Sequence, residues 1–533
     1  MRKTKSVVSP NLSQRRQVRK PAVRSRAGIV VTQNRAASEA GARALKAGGH
    51  AVDAVVAAAF AVGVLEPWMN GIGGVGGMLV YDARAGKVTG IDFGPRSPAR
   101  LNPADFVLTD ERDDGNLFGW PKVRGNLNTV GAKAVVAPTE PAGMAAAHAR
   151  FGRLAWRDLV MPAAKLAEEG IVVDWHTTLV IANGMADLAR DPGAQARFLP
   201  KGFPPVVPAA VDPEPVRRLP MPDLARTLRA IAEDGAGTLY RGPLARAIAE
   251  DVQAMGGYLT ADDLAAVAPV EVEPLAIAYG GRSIHVLPEL NGGPTLWVAF
   301  EDLKGRKRRP EPRPGAETFL AYAAALRAGW TDRFKRLGDA GERTAPTCTT
   351  HLCAIDRDGN MATLTQTLLS LFGARIVLPR TGILMNNGIN WFDPVPGGPN
   401  SIAPGARPLA NYVPAVMTGG GAATAIGGCG GRRILPAVFQ LLAMSVDFGF
   451  DLDEAFHTPR LDVSGLDVVV ADRRMPAEVI DALGTEFATV VAEPVDYPFP
   501  YTIAGAVRRA GGENEGATEP QHPWSEAVSE EEV

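Results

Sequence analysis

The stretch Cys348-Thr349-Thr350-His351-Leu352-Cys353-Ala354-Ile355-Asp356-Arg357-Asp358-Gly359-Asn360, continued by Met361-Ala362-Thr363-Leu364-Thr365-Gln366-Thr367, is two runs of strand-forming residues about an Asp-Gly pair. Asp-Gly suits a two-residue turn whose central positions take positive φ, so the pattern predicts a β-hairpin. With Asp358 and Gly359 at the centre of that turn, Thr350 faces Thr367 and Thr349 lies beside it, so hydroxyls collect at the open end. Taken alone, these residues also fit an ordinary threonine-rich hairpin.

Downstream, Ala425-Ile426-Gly427-Gly428-Cys429-Gly430-Gly431 runs into a helix expected over 433–444. Upstream, 321–334 has helical spacing, about a dozen residues before Thr349. Nearer the start, 29–32 reads as a short buried strand, and 36–47 as a helix ended by Gly48-Gly49. The segment 51–65 is apolar on nearly every side, which places that helix between layers. It leads into Asn70-Gly71-Ile72-Gly73-Gly74-Val75-Gly76-Gly77 and a strand at 78–82, with a second strand at 88–93. Gly71, Gly73 and Gly76 satisfy the spacing of a dinucleotide-binding loop. That loop needs the order strand, glycines, helix, and here a helix precedes and a strand follows. The expected role of the glycines is to let backbone pass close to the hairpin strands. A polar loop is expected over 110–128, and helices over 145–151, 156–169 and 224–232.

Composition narrows the class. With 46% hydrophobic and 21% charged residues and a formal net charge of −2, the chain reads as a soluble globular protein with no call for nucleic acid or membrane as a partner. No run of about 18 uninterrupted apolar residues predicts a membrane span. Three cysteines, Cys348, Cys353 and Cys429, give no disulfide framework, and the seven scattered histidines pair with no Cys-x-x-Cys, so no metal is expected. Residues 1–27 are basic without an apolar run, which predicts a disordered tail, no secretory signal and a cytoplasmic protein. Residues 511–533, rich in glutamate, are expected to be an acidic disordered tail.

The Thr-Thr-His start, the Asp-Gly-Asn turn and the Thr-x-Thr strand resemble the opening of the small subunit in γ-glutamyltranspeptidases. The blocks Gly-Gly-His-Ala-Val-Asp-Ala, Glu66-Pro67, Gly71-to-Gly77, Leu287-to-Gly293, Pro404-Gly405-x-Arg407-Pro408-Leu409 and Gly427-to-Gly431 follow in consistent order, so the resemblance covers roughly residues 28–510. It implies a four-layer αββα fold with antiparallel central sheets, of the N-terminal-nucleophile hydrolase class. It also implies a precursor that cuts itself between Cys348 and Thr349. The large (28–348) and small (349–510) subunits would then interleave in one unit as each other's partners, with no cofactor.

Carried over residue by residue, Thr349 is the nucleophile, Thr367 its hydrogen-bond partner, and Gly430 and Gly431 the oxyanion donors. The chemistry suits these residue types. A threonine hydroxyl is a poor nucleophile until a base takes its proton, and a freed α-amine, titrating near pH ~7.7–8.0, is such a base. Recognition departs from the family. The arginine that would hold an α-carboxylate falls at Gly94, with Arg96 two residues on, and the acid that would bind an α-amine falls at Trp391, beside Asn390. The paired serines become Ala410 and Asn411, and a polar contact becomes Leu369. Arg96, Asn390, Trp391, Asn411 and Leu369 are therefore the candidate substrate-binding residues. The expected substrate is a small-molecule amide other than ordinary glutathione. Two alternatives stay open: a true γ-glutamyl transferase with a rearranged loop using Arg96 and Asn411, and an uncut, catalytically silent scaffold.

Overall fold

The computed structural model describes residues 5–7, 13, 16–112, 120–207, 217–337, 347–496, 499 and 501–533. The expected connector before Thr349, part of the polar loop and most of the first fifteen residues lie outside them.

Strict alternation builds the centre. Val30, Met78, Val80, Leu352 and Ala354 point to one side of their strands, and Ile29, Val31, Leu79, Cys353 and Ile355 to the other. Both sets are apolar and buried, so these strands carry a layer on each face. They belong to a seven-stranded antiparallel sheet ordered Val270–Val272, Lys87–Phe93, Val75–Asp82, Met361–Ser370, Thr347–Ile355, Ile29–Thr32, Glu526–Ser529. A second seven-stranded antiparallel sheet runs Leu275–Tyr279, Arg282–Val286, Ala415–Gly419, Ala422–Cys429, Ile503–Ala510, Glu513–Thr518, Val23–Ser25. Ile29, Val31, Leu79, Met361, Val416, Ala425 and Val507 fill the space between the sheets.

Helices cover the two outer faces. Ala51–Leu65, buried along nearly its whole length, lies behind the first sheet, its start fixed by a reciprocal cap between His50 and Asp53. Gly293–Gly305, Ala316–Leu337 and Ile434–Asp447 cover the second, with Phe300, Tyr322 and Phe439 packed against Ile284 and Val286. The result is the four-layer αββα sandwich. Residues on both sides of position 349 contribute strands to both sheets, so the two parts of the chain interleave.

The hairpin register departs from the expectation. Ile355 pairs with Met361 and Thr350 with Gln366, not Thr367. The turn holds three residues, 357–359, because Asp356 Oδ1 accepts from the N–H groups of Asp358 and Asn360, and Gly359 alone takes positive φ, +90°. Farther up, Cys348 pairs with Leu369, so Thr367 and Leu368 together oppose the single residue Thr349. This bulge carries Leu369 to φ +83°, a rare conformation for a branched side chain.

The C-terminal expectation is corrected: 511–533 is ordered, contributing the strands Glu513–Thr518 and Glu526–Ser529. Four of its seven glutamates are ion-paired: Glu515 with Arg24 and Arg508, Glu526 with Arg35, Glu530 with Arg357, and Glu519 with Arg460. The described part of the basic N-terminal segment is likewise docked. Val23–Ser25 pairs with Glu513–Thr518, and the Lys20 ammonium donates to the carbonyls of His522 and Ser525. The small part of the fold thus extends to Val533.

Candidate active site

The glycine run reads as expected in space. Val75, Gly76 and Gly77 pair with Thr367, Gln366 and Thr365, and a Cβ on Gly76 would come within 2.4 Å of the Thr365 carbonyl. A helix precedes the run and a strand follows it. Among the described residues, no group of three His, Cys, Asp or Glu is placed to hold a metal, and no helix is long and apolar enough to cross a membrane.

At the open end of the hairpin, the bulge brings three groups together. The Thr349 hydroxyl donates to the Cys348 carbonyl at 2.6 Å, and Thr367 Oγ1 donates to the same carbonyl at 2.6 Å. The two hydroxyl oxygens are 3.4 Å apart. Leu369 N–H donates to Thr367 Oγ1 at 2.7 Å, which orients that hydroxyl toward the Cys348 carbonyl. In the uncut chain the candidate nucleophile therefore lies beside the carbonyl it would attack, while a second hydroxyl polarises that carbonyl. Thr350 points away, held by Asn70 Nδ2, and Asn70 in turn accepts from Gln366 Nε2 at 2.8 Å.

His351 takes no part at this end. Its ring is buried, bonded through Nδ1 to Thr365 Oγ1 at 2.9 Å, and lies so close to Gly427 that a Cβ there would sit 2.2 Å from it. Burial pulls its pKa down to about 3, so it is a neutral spacer between the sheets. Burial also pushes the Cys348 thiol well above its usual range, which leaves it a protonated, inert neighbour.

Gly430 and Gly431 have φ of +134° and +59°, and lead through a short turn into Ile434–Asp447. Successive glycines with positive φ at a helix start turn backbone N–H groups outward, the arrangement an oxyanion requires. Thr349, Thr367, Leu369, Trp391, Asn411, Tyr412, Gly431 and Ile434 line one small cavity. Of the expected catalytic set, Thr349, Thr367 and Gly431 meet there. Gly430 lies at its border and lines a neighbouring cavity.

The recognition residues divide. Leu369, Trp391 and Asn411 line the nucleophile's cavity; Asn390 and Arg96 do not, which corrects both assignments. Asn390 is fully buried on the far side of its short helical turn, facing Asn128, Thr129 and Ser370. Arg96 donates to the Gly405 carbonyl at 2.6 Å and lines a separate cleft of about 1030 Å³ together with Gly94 and Arg407. The position vacated at Gly94 is not open: a Cβ there would lie 2.8 Å from Arg407 Nη2 and 3.1 Å from Tyr412 Oη. Arg407 is held by Asp92 at 2.8 Å.

Three contributors went unnoticed in the sequence. Tyr412, one residue past Asn411, packs edge-on against Trp391 with centroids 6.2 Å apart. Ile434 closes the cavity from the helix start. Arg333, buried inside Ala316–Leu337, donates to Asn411 Oδ1 at 2.9 Å and to the Ala410 carbonyl at 3.0 Å. The bond orients the Asn411 amide, and no sequence signal couples positions 333 and 411.

Comparison with known proteins gives the family. The gamma-glutamyltranspeptidase family pattern matches residues 37–348 and 340–529. The chain is 34% identical over 513 residues to an acylase ACY 1 proenzyme of Pseudomonas sp. (strain SE83), covering 89% of each. It is 28% identical over 529 residues to the glutathione hydrolase proenzyme of Bacillus subtilis (strain 168), covering 88% of this chain and 86% of that protein. The crystal structure of cephalosporin acylase from Bacillus halodurans superposes with a TM-score of 0.83 at 25% identity, covering 98% and 99% of the two chains. With two domain-length matches in register and the same αββα sandwich, the chain belongs to the gamma-glutamyltranspeptidase family.

Proposed function

We propose that this protein is a self-cleaving amide hydrolase or acyltransferase whose acyl group is short and uncharged, in place of a zwitterionic γ-glutamyl group. The observation that carries the reading is the cavity around Thr349. Among the described residues its lining of Leu369, Trp391, Tyr412, Ile434, Asn411 and small polar groups holds no carboxylate and no cation. A zwitterion entering it would leave two charges without partners, and charge-assisted hydrogen bonds contribute ~1.5–3 kcal/mol each where they exist.

The mechanism follows from the placement of the hydroxyls. Thr349 Oγ attacks the Cys348 carbonyl carbon, with Thr367 donating to its oxygen. The peptide C–N bond breaks as the ester forms, which frees the Thr349 α-amine, and water then hydrolyses the ester to release the Cys348 carboxylate and restore the Thr349 hydroxyl. In the mature enzyme that amine takes the hydroxyl proton as Oγ attacks a substrate amide, then passes it to the departing amine. Backbone N–H groups of Gly430 and Gly431 hold the oxyanion. Water, or a second amine, releases the acyl group from Thr349.

The test is intact mass of purified protein beside Thr349→Ala, followed by turnover of butyryl- and γ-glutamyl-4-nitroanilide. By residue fraction, 56.2 kDa divides at the cut into about 37 and about 20 kDa, as an N-terminal nucleophile requires. Two such fragments with faster turnover of the butyryl compound support the reading. An uncut chain in the wild type refutes it, and preference for the γ-glutamyl compound refutes the acyl assignment.

A further inference from the structure

Arg333, only 1% exposed on Ala316–Leu337, turns its guanidinium toward the wall of the nucleophile's cavity. One nitrogen, Nη2, donates both to Asn411 Oδ1 at 2.9 Å and to the Ala410 carbonyl at 3.0 Å, and Nη1 donates to Thr295 Oγ1 at 3.4 Å. The main chain on either side of Asn411 is pinned as well. Ala410 N–H donates to the Leu290 carbonyl at 2.8 Å, and the Tyr412 carbonyl accepts from Gly292 N–H at 3.2 Å. Backbone and side chain at position 411 are therefore both set.

The guanidinium also decides which end of the amide faces the cavity. It carries donors only, so the atom it holds is the amide oxygen, and Nδ2 is left on the other side. Among the described residues Nδ2 has no hydrogen-bond partner. Asn411 lines the nucleophile's cavity beside Tyr412, so the contents of that cavity meet an N–H donor backed by a positive charge, which polarises the amide and strengthens the donor. An acyl chain of methylenes leaves this donor desolvated and unpaired, whereas a chain carrying an acceptor satisfies it. We propose that Arg333 is a positioning residue that holds Asn411 as a donor, and that through it the cavity selects acyl groups bearing a neutral carbonyl oxygen along the chain. This rests on the acyl cavity of the function proposed above, and it names the class of acyl group.

The experiment uses processed full-length protein and two pairs of anilides, 4-oxopentanoyl- against pentanoyl-4-nitroanilide and 3-oxobutanoyl- against butyryl-4-nitroanilide. Wild type is expected to favour the oxo compound of at least one pair about fivefold in kcat/KM, through KM. Asn411→Asp keeps the side-chain volume and the bond to Arg333 but removes the donor, and is expected to abolish or reverse that ratio. Arg333→Lys keeps the charge but loses the planar fork that fixes the amide, and is expected to lower the ratio about threefold, while in the Asn411→Asp background the same exchange leaves the ratio unmoved. A purely structural role for Arg333 would lower kcat/KM for both members of a pair together. That result, or equal turnover of oxo and alkyl compounds in both pairs by the wild type, overturns the proposal. Calorimetric binding of 4-oxopentanamide against pentanamide reads the same contact without turnover, and Asn411→Asp tests it there on a side chain that still holds Arg333. An Asn411-dependent preference for 4-oxopentanamide with no acyl anilide hydrolysed refutes the proposed activity and leaves the donor assignment standing; equal binding of the two amides overturns it.

Discussion

Thr349, Thr367, Gly430 and Gly431 form the candidate reactive side of the site, and Leu369, Trp391, Asn411 and Ile434 the candidate side for an acyl group. The first is fixed by main-chain geometry: a bulge opposite Thr349, a hydroxyl oriented by Leu369 N–H, and two glycines at positive φ. The second is fixed by side-chain identity, with apolar groups along the wall and Arg333 setting the Asn411 amide. Bond-breaking geometry depends on atoms that few substitutions preserve, whereas a pocket wall tolerates exchange of side chains.

The comparison is broken most severely at Thr349. Thr349→Ala is expected to remain a single 56.2 kDa chain with turnover at background, read by mass and by anilide hydrolysis. Gly430→Ala tests the oxyanion assignment. It places a Cβ at φ +134° and disturbs one donor, so kcat is expected to fall about 10²–10³-fold while the cut still occurs. Thr367→Ala removes the donor to the Cys348 carbonyl. Processing followed on a gel should slow roughly tenfold to a hundredfold, with Thr367→Ser close to wild type.

The recognition side is sharpened by Trp391→Ala. The enlarged cavity should shift preference from butyryl toward hexanoyl and octanoyl amides about tenfold in kcat/KM, with kcat for the butyryl compound little changed. The smallest expected effect concerns pH. His351 and His176 are held neutral by burial, with pKa values of about 3 and about 4. The unfolded chain binds their protons below about pH 6.5, so stability is lost as pH falls from there toward 4, by on the order of 1.4 kcal/mol per pH unit for each imidazole. Glu66, raised to about 8 by burial, acts with the opposite sign, and its contribution is lost as pH rises from about 4.5 to 8. Thermal unfolding of His351→Gln should show a shallower acid limb than wild type.

The hairpin, the glycine turn and the alternation that makes two central sheets are all legible in the sequence, because each is a pattern among neighbours along the chain. The errors have a common physical origin. Asp358-Gly359 was read as the whole turn, but the Asp356 carboxylate recruits two backbone donors and lengthens it, and the resulting register shift is what leaves Thr367 and Leu368 opposite Thr349. Glutamate density at the C-terminus was read as disorder, because charge without partners is solvated. The partners, Arg24, Arg35, Arg357 and Arg460, are distant in sequence.

The sequence by itself determined that a threonine pair stands at the open end of a hairpin, that a glycine pair opens a helix, and that no charged side chain stands at Gly94 or Trp391, since residue type and local order carry those patterns. Only the tertiary structure decided what fills the space left at Gly94, which amide Arg333 orients, and that Arg96 and Asn390 face elsewhere. Those facts depend on which side chains meet across strands and helices, and such meetings are set by packing between segments hundreds of residues apart.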